Sequence, residues 1–162
     1  VGILNFVLEL FGLPGSEWTK STDTAMLSVL IVTVWKGIGW TMIFYMEAIR
    51  KVPQSLLESA VSDGANGFQK FIKITVPLIS PTTFFLVIMS TISSLQAYDQ
   101  IQVLTQGGPA GATRTLLYYY YLEGFRNFNT GKASAVAIVL VVITVVLSAV
   151  ETLASKKLVH YN

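Results

Sequence analysis

Long apolar runs alternate with short polar stretches along this chain, and their lengths predict helices that cross a bilayer. Three runs reach the roughly 20 mostly apolar residues that a crossing needs. They cover about 24–46 (TAMLSVLIVTVWKGIGWTMIFYM), about 76–104, and 133–154 (ASAVAIVLVVITVVLSAVETLA). The second is strongly apolar in its first half (FFLVIM) and polar in its second, while the third is uncharged up to Glu151. Val and Ile are frequent in the third, but in lipid only helices and closed barrels satisfy every backbone group, so runs this long read as helices. Ahead of the first run, Leu4, Val7, Leu8 and Phe11 recur at helical spacing over a length too short to span. That segment is expected to lie in the outer interface and to stop at Pro14-Gly15. Residues 105–132 are expected to form an outer loop, opened by the turn signal TQGGPAG. The four tyrosines of LLYYYYLEGF read as an interfacial aromatic belt in preference to a sugar platform.

The polar stretch 47–75 has a pattern of its own. Val52-Pro53 can open a helix, because proline is tolerated in a first turn. Leu56, Leu57, Ala60 and Val61 then form one apolar stripe, with Glu58 and Ser62 on another face. Asp63-Gly64 predicts the helix end, glycine being free to take the left-handed position after it. Asn66 can cap a second helix striped by Phe68, Phe71, Ile72 and Thr75, with Lys70 and Lys73 on its polar side. Pro77 and Pro81 fall at the start of the second apolar run. The prediction is therefore helix, glycine bend and helix, lying flat against one membrane surface.

Composition agrees with an apolar solvent. Of 162 residues, 52% are hydrophobic and 12% charged, against about 25% charged in a soluble domain. Without cysteine there is no disulfide framework or thiol metal site, and the single His160 cannot build a metal cluster. No cofactor is expected. A net charge of +2 is too small for a nucleic-acid footprint. Arg50, Lys51, Lys70, Lys73, Lys156 and Lys157 lie on one side, and Lys20, Arg114, Arg126 and Lys132 on the other. The larger group sits close to the span ends, which places 47–75 and the tail in the cytoplasm.

One constellation in this loop has specific spacing. Glu58-Ser59-Ala60, three residues, Gly64, nine residues, Ile74, one residue and Val76-Pro77 resembles the cytoplasmic signature of the membrane subunits of binding-protein-dependent ABC importers. That signature is Glu-Ala-Ala, three residues, Gly, nine residues, Ile-x-Leu-Pro. Ser59 and Val76 depart from it conservatively. MEAIRKVPQSLLESA before the motif, LTQGGP, and Phe125 followed by Gly131-Lys132-Ala133-Ser134-Ala135 resemble the carbohydrate-uptake branch (maltose, glycerol-3-phosphate and multiple-sugar type).

The resemblance implies an all-α membrane protein, a transmembrane helix bundle of the ABC importer permease type. This chain would supply the C-terminal three spans of one transmembrane domain (1–162) with a cytoplasmic coupling-helix loop. It further implies a multi-pass protein of a bacterial or archaeal inner (plasma) membrane. The implied partners are a pair of cytoplasmic ATP-binding subunits, a second permease subunit (identical or homologous), an extracytoplasmic solute-binding protein and the lipid bilayer. Glu58, Ser59, Ala60, Asp63, Gly64 and Ala65 would then meet the ATPase. The chain has no GxxxxGK[ST] phosphate loop, so ATP hydrolysis is assigned to that partner and the chain is not expected to be an enzyme. The chain opens on Val1 without a signal-peptide n-region, and further spans upstream are expected.

Polar residues inside the spans are the candidates for a solute path. Lys36 falls near the centre of the first run, where a charge costs about 2.5–3.5 kcal/mol on insertion scales, so it is expected to face a bundle interior or watery cavity. Thr33 and Trp40 lie one turn to either side, and Gly37 allows close approach to the backbone. Ser93, Ser94, Gln96 and Ala97, with Ser90, make a small or polar surface in the second run. At ~1.5 Å per residue, Ser93 and Ser94 are level with Lys36 at roughly 15–18 Å from the outer end, while Asp99 lies only about 8 Å in. In related carbohydrate permeases the corresponding helices contribute to a midway sugar site. For the serines, close helix packing is an equal reading. Two rivals stand beside the importer: an ion-coupled secondary transporter using Lys36 and Asp99 as charge-coupling groups, and a non-transporting membrane scaffold.

Overall fold

The computed structural model describes residues 2–158. His160 lies outside them, as do the side chains of Lys156 and Lys157, which carry part of the charge asymmetry. Every regular element among the described residues is helical. In chain order these are α1 (Ile3–Leu10), α2 (Thr22–Arg50), α3 (Gln54–Ser62), α4 (Gly67–Leu95), α5 (Asp99–Leu104), α6 (Leu116–Tyr121) and α7 (Thr130–Leu158). A single π-helical turn, Phe71–Thr75, lies within α4, and another, Leu122–Arg126, continues α6.

By length and composition, α2, α4 and α7 can each cross a membrane. Most of their apolar side chains stay exposed, Trp35 at 75% and Val145 at 61% among them. In lipid such faces need no cover, and helix association rests on close packing and interhelical hydrogen bonds. Many hydroxyls on these helices donate back to the carbonyl four residues earlier, as in Thr33 to Val29 (2.7 Å), Thr83 to Ile79 (3.3 Å) and Thr144 to Leu140 (2.8 Å). Such a bond removes the donor that lipid would leave unsatisfied.

The second crossing differs most from the expected 76–104. Its helix starts at Gly67 and ends at Leu95. The carbonyl of Ala97 accepts a hydrogen bond from Thr115 Oγ1 at 2.8 Å, and Tyr98 leaves the helical region at φ −127°. Residues 99–104, expected as the outer end of that span, form the separate helix α5. Within α4 the prolines are accommodated locally. Pro81 has no N–H for the carbonyl of Pro77, and Ser80 Oγ donates to that oxygen instead at 2.7 Å.

Clustering of the fold separates two units. Unit 1 comprises Val1–Trp35 with Gln96–Ala137, and unit 2 comprises Lys36–Leu95 with Ile138–Asn162. In unit 1, α1 ends at Gly12 (φ +70°), ahead of the expected Pro14-Gly15, because the earlier glycine takes the left-handed position. The amide of Gly12 then donates to Glu9 and that of Leu13 to Leu8. Asn5 ties this helix to the following loop: its Oδ1 accepts from the Ser16 amide (3.1 Å) and the Trp18 indole (2.7 Å), and its Nδ2 donates to the Ser16 carbonyl (3.1 Å).

Two residues of the tyrosine run, Tyr118 and Tyr121, pack into a core, and Tyr119 and Tyr120 stay partly exposed. Tyr118 is buried at 2% exposure against Val29 and Ile101, with Tyr98, Leu104, Tyr121 and Leu122 packed around them. Helical winding puts 118, 121 and 122 on one side, and a ring pair such as Tyr98–Tyr121 (4.9 Å) fills the space. Beside Tyr121, the Arg126 guanidinium lowers the phenol's pKa from its ordinary value. Within residues 105–132, expected as a loop, Thr113, Tyr118 and Glu123 are buried and 125–132 are exposed. The turn 105–113 is held by Thr113, whose Oγ1 lies 2.8 Å from the Gly108 carbonyl and 2.7 Å from Thr105 Oγ1.

Gly107 has φ +78°, and a Cβ there would stand 2.6 Å from Tyr118 Cε1. Gly107→Ala is expected to destabilise the full-length protein by about 2–4 kcal/mol, from the left-handed backbone and the overpacked ring together. Thermal unfolding in detergent should show a lower midpoint, and an unchanged midpoint would contradict this packing.

Candidate functional site

The stretch between α2 and α4 folds as its pattern predicts. Pro53 precedes α3 in an extended conformation at φ −61°. The helix ends in two reverse bonds: the Gly64 amide donates to Val61 (2.9 Å) and the Ala65 amide to Ala60 (2.9 Å), with Gly64 at φ +80°. This 5→2 and 6→1 pair is the Schellman arrangement, and it satisfies carbonyls the helix would otherwise leave open. Two residues on, Asn66 Oδ1 accepts from the Gln69 amide and Gln69 Oε1 accepts from the Asn66 amide, both at 2.9 Å. The reciprocal pair is a capping box. One helix is therefore stopped and the next started within four residues, all by hydrogen bonds.

Six residues were expected to act here. Glu58, Ser59, Asp63 and Gly64 are exposed, and Ala60 and Ala65 are half-buried. The hydroxyls of Ser59 and Ser62 are committed to the Ser55 and Glu58 carbonyls at 2.9 and 3.3 Å. Glu58 and Lys70 line a shallow groove of about 350 Å³ with Gln54, Leu57 and Val61. Lys70 is the residue the motif did not single out. Its place on the groove follows from the bend, which brings the first turn of α4 back to α3. Phe68 stays 74% exposed and Val61 54%, so the bend carries apolar side chains that the chain itself leaves uncovered.

A second concavity lies within unit 2. It is an open cleft of about 530 Å³ lined by Thr41 and Tyr45 of α2, by Thr83, Ser90, Thr91 and Ser94 of α4 and, among apolar residues, by Leu86 and Leu147. Of the expected path residues, Ser90 and Ser94 are on this lining. Lys36, Gly37 and Trp40 are exposed positions on α2, and Ser93 is exposed on α4. The Trp40 ring packs edge-on to Phe44 (4.8 Å), which in turn meets Phe85 (5.7 Å). The remaining three belong to unit 1: Thr33 is bonded to its own helix, Gln96 is exposed in the turn after α4, and the Ala97 carbonyl receives Thr115.

Glu151 is a residue that reading from the sequence passed over. Thr91 Oγ1 donates to Glu151 Oε1 at 2.6 Å, joining α4 to α7 within unit 2. The signal was present as the first charge in the third apolar run. Its partner was not, since 60 residues separate the two. No group of three or more His, Cys, Asp or Glu side chains able to hold a metal occurs among the described residues.

Residues 1–160 match the family model described as the binding-protein-dependent transport system inner membrane component. The chain belongs to this family. Among its relatives, the sn-glycerol-3-phosphate transport system permease protein UgpA of Agrobacterium fabrum is 38% identical across 100% of this chain and 55% of its own length. The protein of the same name from Rhizobium meliloti is 38% identical across 91% of this chain and 52% of its own. The chain thus spans about half the length of the curated relatives it matches. A crystal structure of a bacterial ABC transporter involved in the import of the acidic polysaccharide alginate superposes with a TM-score of 0.87 over 99% of this chain and 56% of that one, at 24% identity. The likeness establishes the fold, an all-α membrane protein of the ABC importer permease type. Membership in this inner-membrane family leaves the ion-coupled alternative without support.

Replacing Asn66 by Ala in this family member removes one half of the capping box and should loosen the first turn of α4 by about 1 kcal/mol. Amide exchange over 66–70 in the full-length protein is expected to quicken roughly fivefold, with exchange in α7 unchanged. Equal protection in the variant would mean that the cap does not hold the bend.

Proposed function

We propose that this chain is the C-terminal part of one transmembrane domain of an ATP-driven importer, forming part of the path for a sugar or sugar-like solute. It performs no chemistry itself. ATP is hydrolysed by a pair of cytoplasmic subunits, an extracytoplasmic binding protein delivers the solute, and a second permease subunit completes the path. The relatives named for sn-glycerol-3-phosphate and the structure titled for alginate import support a polyhydroxylated cargo.

The observation that carries this reading is the bend at Gly64–Asn66. A push between two proteins needs an element that does not yield, and hydrogen-bonded caps on both sides of one left-handed glycine supply it. Exposed Glu58 and Asp63 offer charge to basic residues of the ATPase, Ser59 and the small Ala60 and Ala65 permit close approach, and exposed Phe68 and Val61 offer apolar area. In the proposed orientation 47–75 faces the cytoplasm and 105–132 the outside. The proposed path residues are Ser93, Ser94, Lys36, Gly37 and Trp40 on unit 2, which holds the cleft, and Thr33, Gln96 and Ala97 on unit 1.

The chain contains no cysteine, so a single introduced thiol reports cleanly. In the full-length protein, Cys at Ala60 or Ser62 is expected to crosslink to a co-expressed ATPase subunit, and ATP is expected to change the yield. Absence of any crosslink, together with uptake that persists without ATP, would overturn the reading.

A further inference from the structure

The turn between α6 and α7 presents two aromatic rings that the chain does not cover. Phe125 is 62% exposed and Phe128 81%. One face of Phe125 stacks on Tyr121, with centroids 5.8 Å apart and 21° between the planes, while the Phe128 ring meets no other ring among the described residues. The backbone beneath them is closely bonded. The Asn127 amide donates to the Leu122 carbonyl (2.8 Å) and the Asn129 amide to the Glu123 carbonyl (2.7 Å). Asn127 Nδ2 donates to Glu123 Oε1 (3.3 Å), and Asn129 Oδ1 accepts from the Lys132 amide (3.1 Å), capping the first turn of α7. Within this turn Phe128 takes φ +51°, a left-handed conformation that crowds a Cβ. Asparagine tolerates that conformation better, and asparagines stand on either side at 127 and 129. The chain thus puts an aromatic residue at the strained position of the turn and leaves its ring exposed. Strain that surrounding bonds hold in place points to a side chain with a use.

Two residues further on, the span-length part of α7 begins. Thr130–Ser155 has 26 residues, which make about 39 Å of helix. The hydrocarbon core is about 30 Å thick, so the ends of α7 reach the headgroup layers and the turn at 125–129 lies in one of them. Arg126 and Lys132 flank Phe128, are exposed, and form no ion pair with a carboxylate among the described residues. Aromatic rings with cations beside them suit the boundary between acyl chains and lipid phosphates. We infer that Phe125 and Phe128 are the interfacial anchor of α7, docked on the phospholipid bilayer and fixing how deep that helix sits. Tyr118 and Tyr121 are taken up by the core of unit 1, and the anchoring expected of the tyrosine run falls to the two phenylalanines after it. The inference needs α7 to cross the bilayer and nothing of the importer reading.

The test uses the full-length permease assembled with its partner subunits in vesicles of equal parts phosphatidylcholine and phosphatidylglycerol. With Phe128 replaced by p-benzoylphenylalanine, irradiation is expected to give a phospholipid adduct, and the same photolabel at Val145, 61% exposed within the span, serves as the lipid reference. Added solute-binding protein should leave that adduct in place. An adduct with the binding protein or another subunit instead of lipid, or none while position 145 reacts, overturns the inference. Depth is read separately, from a nitroxide on a single Ser134→Cys thiol, an exposed position on α7. Phe128→Gly removes the ring and relaxes the left-handed backbone, so the turn survives. It should raise collisions of the label with a water-soluble nickel chelate relative to those with oxygen, and Phe128→Trp should restore the original ratio. A merely structural role gives the opposite order, because glycine suits the turn and tryptophan does not. That opposite order, or one ratio for all three proteins, would also overturn the anchor.

Discussion

The constraint on which this structure depends is that lipid offers no hydrogen bonds, so every polar group must be satisfied by the chain itself or be brought to water. The bend at Gly64–Asn66 obeys it at the membrane surface. Its donors and acceptors are paired by a Schellman end and a capping box, and a compact corner results without any tertiary partner. A corner built this way keeps its geometry while its side chains remain available. Uncommitted carbonyls at the end of α3 would instead bond to water and fray, and a frayed helix transmits no displacement.

The same constraint acts inside the spans and has a chemical consequence there. A serine or threonine facing lipid or a narrow cleft lowers its own cost by donating to the previous turn. Doing so decides what it can offer a solute: an acceptor, and no longer a donor. In the cleft of unit 2, Ser94 and Thr83 are turned onto their own helices and Thr91 onto Glu151. Polarity of residue type and polarity of hydrogen-bond sense are thus separate properties of a membrane site.

Where the local code was complete, the fold could be read from the residues. Pro53, Gly64 and Asn66 each announce a conformation that depends on nearest neighbours alone, and the helix–bend–helix followed. The three spans followed from length and apolarity. The reading failed where distant residues decide. The helix expected to run to 104 stops at Leu95, where Thr115, 18 residues away from Ala97, takes a carbonyl. Four consecutive tyrosines resemble a membrane belt until Ile101 and Val29 are known to lie beside Tyr118. Of the expected path residues only Ser90 and Ser94 reached the cleft lining, because spacing along one helix fixes which face a residue occupies and not which neighbour that face meets.

Glu151 shows how such a miss differs from noise. A lone carboxylate in an apolar run is expensive, and a structure retains it only where some group answers the charge. Thr91 donates to one oxygen, and the other is buried with no hydrogen-bond partner among the described residues. Through Thr91, which lines the unit 2 cleft, Glu151 fastens α7 to the wall of that concavity.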